Sequence, residues 1–170
     1  LATKAGKEIL IQGGNAIDAA IAIQMVLNVV EPQSSGIGGG GFLLYFDKKD
    51  SNLIFYDGRE TAPSQIKKEF FLNKQGKPLK FYDAAIGGLA IGVPGLVSML
   101  DLAHQKHGLA RWNDLFKPAI QLSSDGFKIS PRLHKQIKKD QYLYRLPNSK
   151  KYFYHKNTEP KNEGEILRNK

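Results

Sequence analysis

The chain has 170 residues, of which 41% are hydrophobic and 24% charged, so it can bury a core and lacks the composition of a disordered protein. It contains no cysteine, which excludes disulfides, thiolate zinc sites and a cysteine nucleophile. Its formal net charge of +9 is uneven, because residues 1–100 contribute +1 and residues 101–170 contribute +8. We expect a single domain over residues 1–170, with a basic polar tail from about residue 147.

Two helices are predicted at the start of the chain. Apolar residues at helical spacing over residues 2–12 are followed by a glycine pair, which commonly ends a helix. Asn15 suits the N-cap of the next helix, and Asp18 can bond to the amides of its first turn. This second helix, residues 16–30, is apolar nearly all round, so we expect protein on both flanks. Its 15 residues fall short of the roughly 20 that a bilayer requires, so no membrane span is expected.

A glycine-rich loop and a β-hairpin are predicted next. Residues 34–41 cannot form a helix or an ordinary strand, and the apolar-aromatic runs at 42–46 and 53–56 are separated by a polar loop. Their composition indicates strands that are buried on both faces, which requires further strands that this chain scarcely offers. We therefore expect the domain to be incomplete as it stands, with something else completing the sheet.

Helices dominate the remainder of the chain. N-cap, proline and glycine signals predict four of them. A short helix runs from Ser64 to Leu72, and a second glycine-rich loop at 87–95 precedes a helix at 94–107. The next helix has Pro118 in its first turn and ends at Gly126, and the last runs from Ser130 to about Tyr144.

Three features suggest chemistry but have simpler explanations. Residues 36–41 match the GxGxxG dinucleotide fingerprint, yet the helix comes before the motif and the strand after it, which reverses the order that the fingerprint needs. His104 and His107 lie three apart without a further ligand nearby, so we expect no metal. The basic-aromatic run at 150–156 has the composition of a nucleic-acid contact, but a solvated basic helix and an edge strand explain it, and we expect no nucleic-acid partner. No cofactor is expected either.

The segment Asp57-Gly58-Arg59-Glu60 is the most distinctive local feature. An arginine directly after a buried strand is costly to bury unless an anion meets it, and its guanidinium can hold a carboxylate with two hydrogen bonds. Glu60 could support the arginine from behind. A purely structural Arg–Glu pair at a strand end explains the same residues equally well, so the residues alone leave both interpretations open.

Six blocks, in the same order, resemble the N-terminal part of γ-glutamyltranspeptidases, and together they cover nearly the whole chain. They are residues 13–20 (GGNAIDAA), 36–42 (GIGGGGF), 57–63 (DGRETAP), 92–95 (GVPG), 118–127 (PAI followed by DGF), and 129–130 (IS).

The resemblance implies an α+β fold, the N-terminal part of a four-layer αββα N-terminal-nucleophile hydrolase. The precursor of such an enzyme cleaves itself, and the new N-terminal threonine of its small subunit attacks the γ-glutamyl amide of glutathione-like substrates. The acyl group then passes to water, an amino acid or a peptide. Because Thr3, Thr61 and Thr158 do not stand in the family's cleavage context, we expect no catalytic residue in this segment and no activity of the segment alone.

Two site residues carry over from the family. Arg59 resembles the arginine that binds the α-carboxylate of the γ-glutamyl group, and Glu60 matches the supporting acidic residue beside it. The expected partners are the small subunit from the same precursor and a γ-glutamyl substrate. A periplasmic or secreted location, with a signal segment outside this chain, is also implied.

Gly58 leaves alternatives open, since many transpeptidases of the family carry Phe or Ala there. Related cephalosporin acylases and poly-γ-glutamate depolymerases share the fold and can carry glycine. The alternatives are therefore that the chain is a segment of such an acylase or depolymerase, or that it is a truncated non-catalytic binding domain.

Overall fold

The structure, a computed structural model, describes residues 1–169 as a mixture of helices and short strands in two compact units. The first unit comprises residues 1–37 and the described residues from 100 onward, and the second comprises residues 38–99. The helices are α1 (Ala2–Ile11), α2 (Ala16–Val30), α3 (Phe81–Ala85), α4 (Leu96–His107), α5 (Trp112–Asp125), α6 (Pro131–Lys139) and α7 (Pro147–Phe153). The strands are β1 (Gly41–Asp47), β2 (Asn52–Gly58), β3 (Phe127–Lys128) and β4 (Ile166–Leu167). Two 3₁₀ turns span Lys68–Phe71 and Leu143–Arg145.

Helix α2 is at the centre of the first unit. It packs against α1 and α5. Ile21 and Val26 are completely buried, and Ile17 and Met25 nearly so. Protein therefore covers both flanks of this helix, as its apolar composition predicts, and burial of each of these side chains contributes about 1.5–3 kcal/mol.

The buried carboxylate of Asp18 joins the start of α2 to the loop after α4. It accepts hydrogen bonds from the backbone N–H groups of Asn15 (2.9 Å), Leu109 (3.1 Å) and Ala110 (3.1 Å). In return, the Asn15 side chain accepts from the N–H of Asp18, so the predicted capping box is present. The His104 ring lies 3.6 Å from the same carboxylate and bonds to the carbonyl of Ala110. Three backbone N–H groups and the His104 ring thus surround the Asp18 side chain, which has no access to solvent.

The start of α5 and the end of α6 differ most from the predicted helix boundaries in the first unit. Helix α5 begins at Trp112, so Pro118 lies inside it instead of in its first turn. Burial of Leu115 and Ala119 holds this helix together across the proline. Helix α6 starts at the Ser130 cap as predicted, with the hydroxyl accepting from the N–H of Leu133 at 3.0 Å.

Helix α6 ends at Lys139, five residues before the predicted end. The carboxylate of Asp140 accepts hydrogen bonds from the N–H groups of Tyr142 (2.8 Å) and Leu143 (2.6 Å). This local turn offers the backbone an alternative to the helix, as Asp side chains commonly do. Beyond it, the polar tail folds into α7 and then β4, which pairs antiparallel with β3.

The second unit is built around the predicted hairpin. β1 and β2 pair antiparallel, with Leu44 opposite Phe55 and Leu43 opposite Tyr56. The predicted helix from Ser64 to Leu72 is reduced to the 3₁₀ turn at Lys68–Phe71.

Within this chain only one face of the hairpin is covered, which agrees with the expectation that something outside the chain completes the sheet. Side chains on one face are half-buried or buried, while the other presents five large apolar residues that are 58–63% exposed: Phe42, Leu44, Phe46, Leu53 and Phe55. The reason is that no layer within the described residues covers this outer apolar face. The sheet also stops at two strands.

Candidate functional site

The candidate site begins where β2 ends. Gly58 is its last residue, and a Cβ atom there would lie 2.6 Å from the Cβ of Met99, so a larger residue would force the strand away from α4. The carboxylate of Asp57 accepts the N–H of Arg59 at 2.9 Å. Packing against Met99 therefore fixes the end of β2, and the hydrogen bond from Arg59 to Asp57 fixes the backbone that carries the Arg59 side chain.

Arg59 and Glu60 form an ion pair, with 3.0 Å between Nη1 and Oε2. The two side chains differ in exposure, since Arg59 is 69% exposed and Glu60 only 27%. Glu60 therefore holds one edge of the guanidinium from the protein side. The remaining N–H groups of Arg59 stay available to an incoming anion, because no other bond to them is found within residues 1–169.

Two glycines make room for Glu60. A Cβ at Gly40 would lie 2.6 Å from Oε2 of Glu60 and 2.9 Å from its backbone nitrogen. A Cβ at Gly92 would lie 2.8 Å from the Cβ of Glu60. All three distances are shorter than real side chains tolerate, so the two glycine-rich loops are packed closely around Glu60.

Backbone hydrogen bonds connect three segments of the second unit at this point. The N–H of Val93 donates to the carbonyl of Thr61 at 2.8 Å, in an antiparallel bridge. The carbonyl of Gly39 accepts from the N–H groups of Gly95 and Leu96, each at 3.1 Å. The first glycine-rich loop, the turn after β2 and the loop before α4 are therefore held as one assembly.

A cleft of about 500 Å³ opens beside Arg59 within the second unit. Its volume lies in the range of about 300–1,000 Å³ that is typical of small-molecule sites. Three of its lining residues are cations and one is an acid, so it favours an anionic ligand. The lining residues are Arg59, Glu60, Thr61, Ala62, Pro63, Ile66, Lys67, Lys68, Phe71, Leu89, Ala90, Ile91 and Gly92.

Arg59 and Glu60 are thus brought together as the sequence suggested, but the rest of the cleft was not predicted. In the sequence, Lys67 and Lys68 look like ordinary surface lysines. Nothing in the sequence indicated that residues 89–92 face the turn after β2. The signal available was the second glycine-rich loop, since glycine often marks a close backbone approach.

The other candidate residues do not assemble into a metal or nucleotide site within the described part of the chain. The His104 ring is engaged by Ala110 and Asp18, and no group of three or more potential metal ligands is found among residues 1–169. Residues 36–41 lie between α2 and β1, in the reversed order that the sequence indicated. Within the same residues, every helix is too short or too polar to cross a bilayer.

Comparison with known proteins gives concordant matches. The family model described as gamma-glutamyltranspeptidase matches residues 2–170. A glutathione hydrolase proenzyme of Bacillus subtilis is 41% identical over 167 residues, which are 98% of this chain and 28% of that protein. One of Escherichia coli is 38% identical over 168 residues, with the same two shares. The chain therefore spans less than a third of these curated relatives.

A solved structure shows the same fold. The γ-glutamyltranspeptidase of Helicobacter pylori superimposes with a TM-score of 0.92 at 37% identity, over 99% of this chain and 48% of that chain. The predicted fold class is confirmed: a mixed α+β segment that is the N-terminal part of an N-terminal-nucleophile hydrolase and is incomplete as it stands.

Proposed function

This chain belongs to the γ-glutamyltranspeptidase family as the N-terminal part of the large subunit, and we propose that it contributes the α-carboxylate site of a γ-glutamyl-transferring hydrolase. The complete enzyme cleaves the γ-glutamyl amide of glutathione-like substrates and passes the acyl group to water, an amino acid or a peptide. The names of the relatives, glutathione hydrolase proenzymes, support this activity.

Arg59 is the residue that binds the substrate in this proposal. The observation that carries it is the geometry of the ion pair: Glu60 holds one edge of the guanidinium, while the exposed edge lines the cleft. A carboxylate can be gripped there by two parallel N–H donors, which fixes its orientation as well as its position. Glu60 acts as a positioning residue and does not touch the substrate.

The nucleophile lies outside this chain in the proposal. The small subunit of the same precursor supplies an N-terminal threonine, which its own α-amine activates. That subunit also covers the outer apolar face of the hairpin, which explains why five large apolar residues are exposed here. A periplasmic or secreted location is part of the same proposal.

The test replaces Arg59 by lysine in the complete enzyme. Arg59→Lys keeps the charge but loses the two-pronged contact, so kcat/KM on γ-glutamyl substrates should fall about 30- to 1000-fold, which corresponds to roughly 2–4 kcal/mol. Self-cleavage of the precursor, followed on a gel, should be unchanged because it does not involve the substrate's carboxylate. Arg111→Lys is the matched control, since Arg111 pairs with Asp114 and does not line the cleft.

A pair of substrates with and without the α-carboxylate completes the experiment. The wild-type enzyme should prefer the substrate that carries the carboxylate, and Arg59→Lys should lose most of that preference. If both enzymes show the same preference, Arg59 belongs to the structure and not to the substrate site.

A further inference from the structure

A second cleft lies in the first unit, between α7 and the last residues described. It has a volume of about 670 Å³, which again falls within the range of about 300–1,000 Å³ for small-molecule sites. None of its residues belongs to the Arg59 cleft. The lining residues are Asn148, Ser149, Lys151, Tyr152, Phe153, Lys161, Arg168 and Asn169.

The charge in this cleft is entirely positive. Lys151, Lys161 and Arg168 line it, and no lining residue is acidic. Within residues 1–169, none of the three cations has a carboxylate within 4.0 Å. Glu165, four residues after Lys161, is already engaged by Asn162 and His155. Among the residues that the structure describes, nothing therefore neutralises the positive charge of the cleft.

Backbone carbonyl groups tether two of these cations. Lys161 is half-buried, and its Nζ donates to the carbonyl of Tyr152 at 2.7 Å. The Nε of Arg168 donates to the carbonyl of Asp125 at 2.7 Å. A lysine has three N–H donors and an arginine five, so both keep further donors for a ligand. Tethering also lowers the conformational entropy that binding would otherwise cost.

The remaining wall is aromatic and polar but carries no charge. The rings of Tyr152 and Phe153 pack edge to face with centroids 4.6 Å apart. Burial raises the pKa of the Tyr152 hydroxyl above its ordinary value, so it remains neutral at physiological pH and adds no negative charge. Asn148, Ser149 and Asn169 add neutral hydrogen-bonding groups.

We propose that this cleft binds a small, multiply charged anion, one that carries two or more carboxylate or phosphate groups. Three cations without a carboxylate partner favour a multiply charged ligand over a singly charged one. The rings of Tyr152 and Phe153 provide apolar contact for the carbon skeleton between the charged groups. The basic-aromatic run at 150–156 is thereby explained as part of a binding site in addition to a solvated helix.

The test measures binding to the complete enzyme by calorimetry at low ionic strength, where screening is weak. The ligands are citrate, which carries carboxylates, pyrophosphate, which carries phosphates, and acetate as the singly charged comparison. Citrate or pyrophosphate should bind at least about tenfold more tightly than acetate. Which of the two binds more tightly identifies the preferred anionic group.

Variants then locate the site. Lys151→Gln, at an exposed side chain without a carboxylate partner, should weaken binding about fivefold, and Lys151→Gln with Arg168→Gln about 30-fold. Lys138→Gln removes one exposed charge from α6 outside the cleft and should change affinity less than about twofold. Because Lys151→Gln disturbs no tether, it remains informative if the double variant fails to fold.

Three results would overturn the proposal. The first is equal affinity for acetate and for the multiply charged anions, and the second is equal weakening by Lys138→Gln and Lys151→Gln. The third is binding of a single-stranded oligonucleotide of about 12 residues, sensitive to Lys151→Gln, in the absence of citrate and pyrophosphate binding. That last result would assign the surface to nucleic acid instead.

Discussion

Glu60 is the residue around which the turn after β2 is packed. Its carboxylate contacts Arg59 in front, and Gly40 and Gly92 approach it closely from the two glycine-rich loops. An ion pair at a solvent-exposed strand end contributes little stability by itself, typically 0–1 kcal/mol. We therefore infer that this packing serves to orient Arg59 more than to stabilise the fold.

Gly40→Ala tests that inference without changing any charged group. The added methyl would clash with the backbone carbonyl of Gly58 and would lie 2.6 Å from Oε2 and 2.9 Å from the backbone nitrogen of Glu60, so the end of β2 and the Glu60 carboxylate must shift and Arg59 with them. Because a misplacement of about 1 Å can cost on the order of 100-fold, kcat/KM of the complete enzyme should fall at least about tenfold. Gly38→Ala is the matched control: a Cβ there meets nothing within 4 Å, so activity should stay within about twofold. Equal activity of the two variants would show that Glu60 need not be held in place.

At the scale of secondary-structure elements, Asp18 connects the N-terminus of α2 to the loop after α4. We expect Asp18→Asn to lower the free energy of unfolding of the complete enzyme by about 2–3 kcal/mol. The three N–H groups then lose the charge of their acceptor, and the amide NH₂ replaces the oxygen that lies 3.2 Å from the N–H of Leu109 and 3.6 Å from the His104 ring. Denaturant unfolding measures the change. Asp101→Asn is the control, since that carboxylate accepts an exposed bond from Gln105. A loss no larger than that of the control would mean that the loop is held by other contacts.

Local signals predicted the parts of the fold that depend on local chemistry. Asn15 and Ser130 cap their helices as expected, because an N-cap is decided within three residues. Pro118 misled the prediction of α5, since burial of Leu115 and Ala119 overrides the intrinsic cost of an internal proline. Long-range contacts could not be predicted from the sequence. The bonds from Leu109 and Ala110 to Asp18, about 90 residues away, have no local signature.

The candidate site shows the same division. Arg59 and Glu60 stood out because a charged pair directly after an apolar strand is unusual, and the six ordered blocks gave them a role. The lysines and the 89–92 wall of the cleft depend on the bridge between Thr61 and Val93, which joins segments 32 residues apart. Sequence reasoning found the Arg59–Glu60 pair of the proposed site and missed the residues that shape the cavity.

For the whole molecule, the outer apolar face of the hairpin is the feature that most needs a partner. Five large apolar side chains on two neighbouring strands are 58–63% exposed, which is unusual for a surface that stays in water. Both strands also keep an unpaired edge within the described residues. In the proposed enzyme, the small subunit covers this face.

Leu44→Asp tests this assignment. If the small subunit covers Leu44, a buried carboxylate there should destabilise the complete enzyme by about 2–5 kcal/mol and lower the yield of the two-subunit complex in size-exclusion chromatography. Lys49→Asp, in the exposed loop between the two strands, provides the control with the same new side chain. Equal yields and equal thermal unfolding of the two variants would mean that the face remains in solvent.

In the proposed enzyme, Arg59 binds the α-carboxylate of a γ-glutamyl substrate. The most direct measurement is a crystal structure of the complete enzyme with L-glutamate bound. We predict two guanidinium nitrogens of Arg59 at about 2.7–3.0 Å from the two α-carboxylate oxygens, with Glu60 retaining its contact to Nη1. If other residues hold the α-carboxylate of the glutamate and Arg59 contacts only Glu60 and solvent, Arg59 does not bind the substrate.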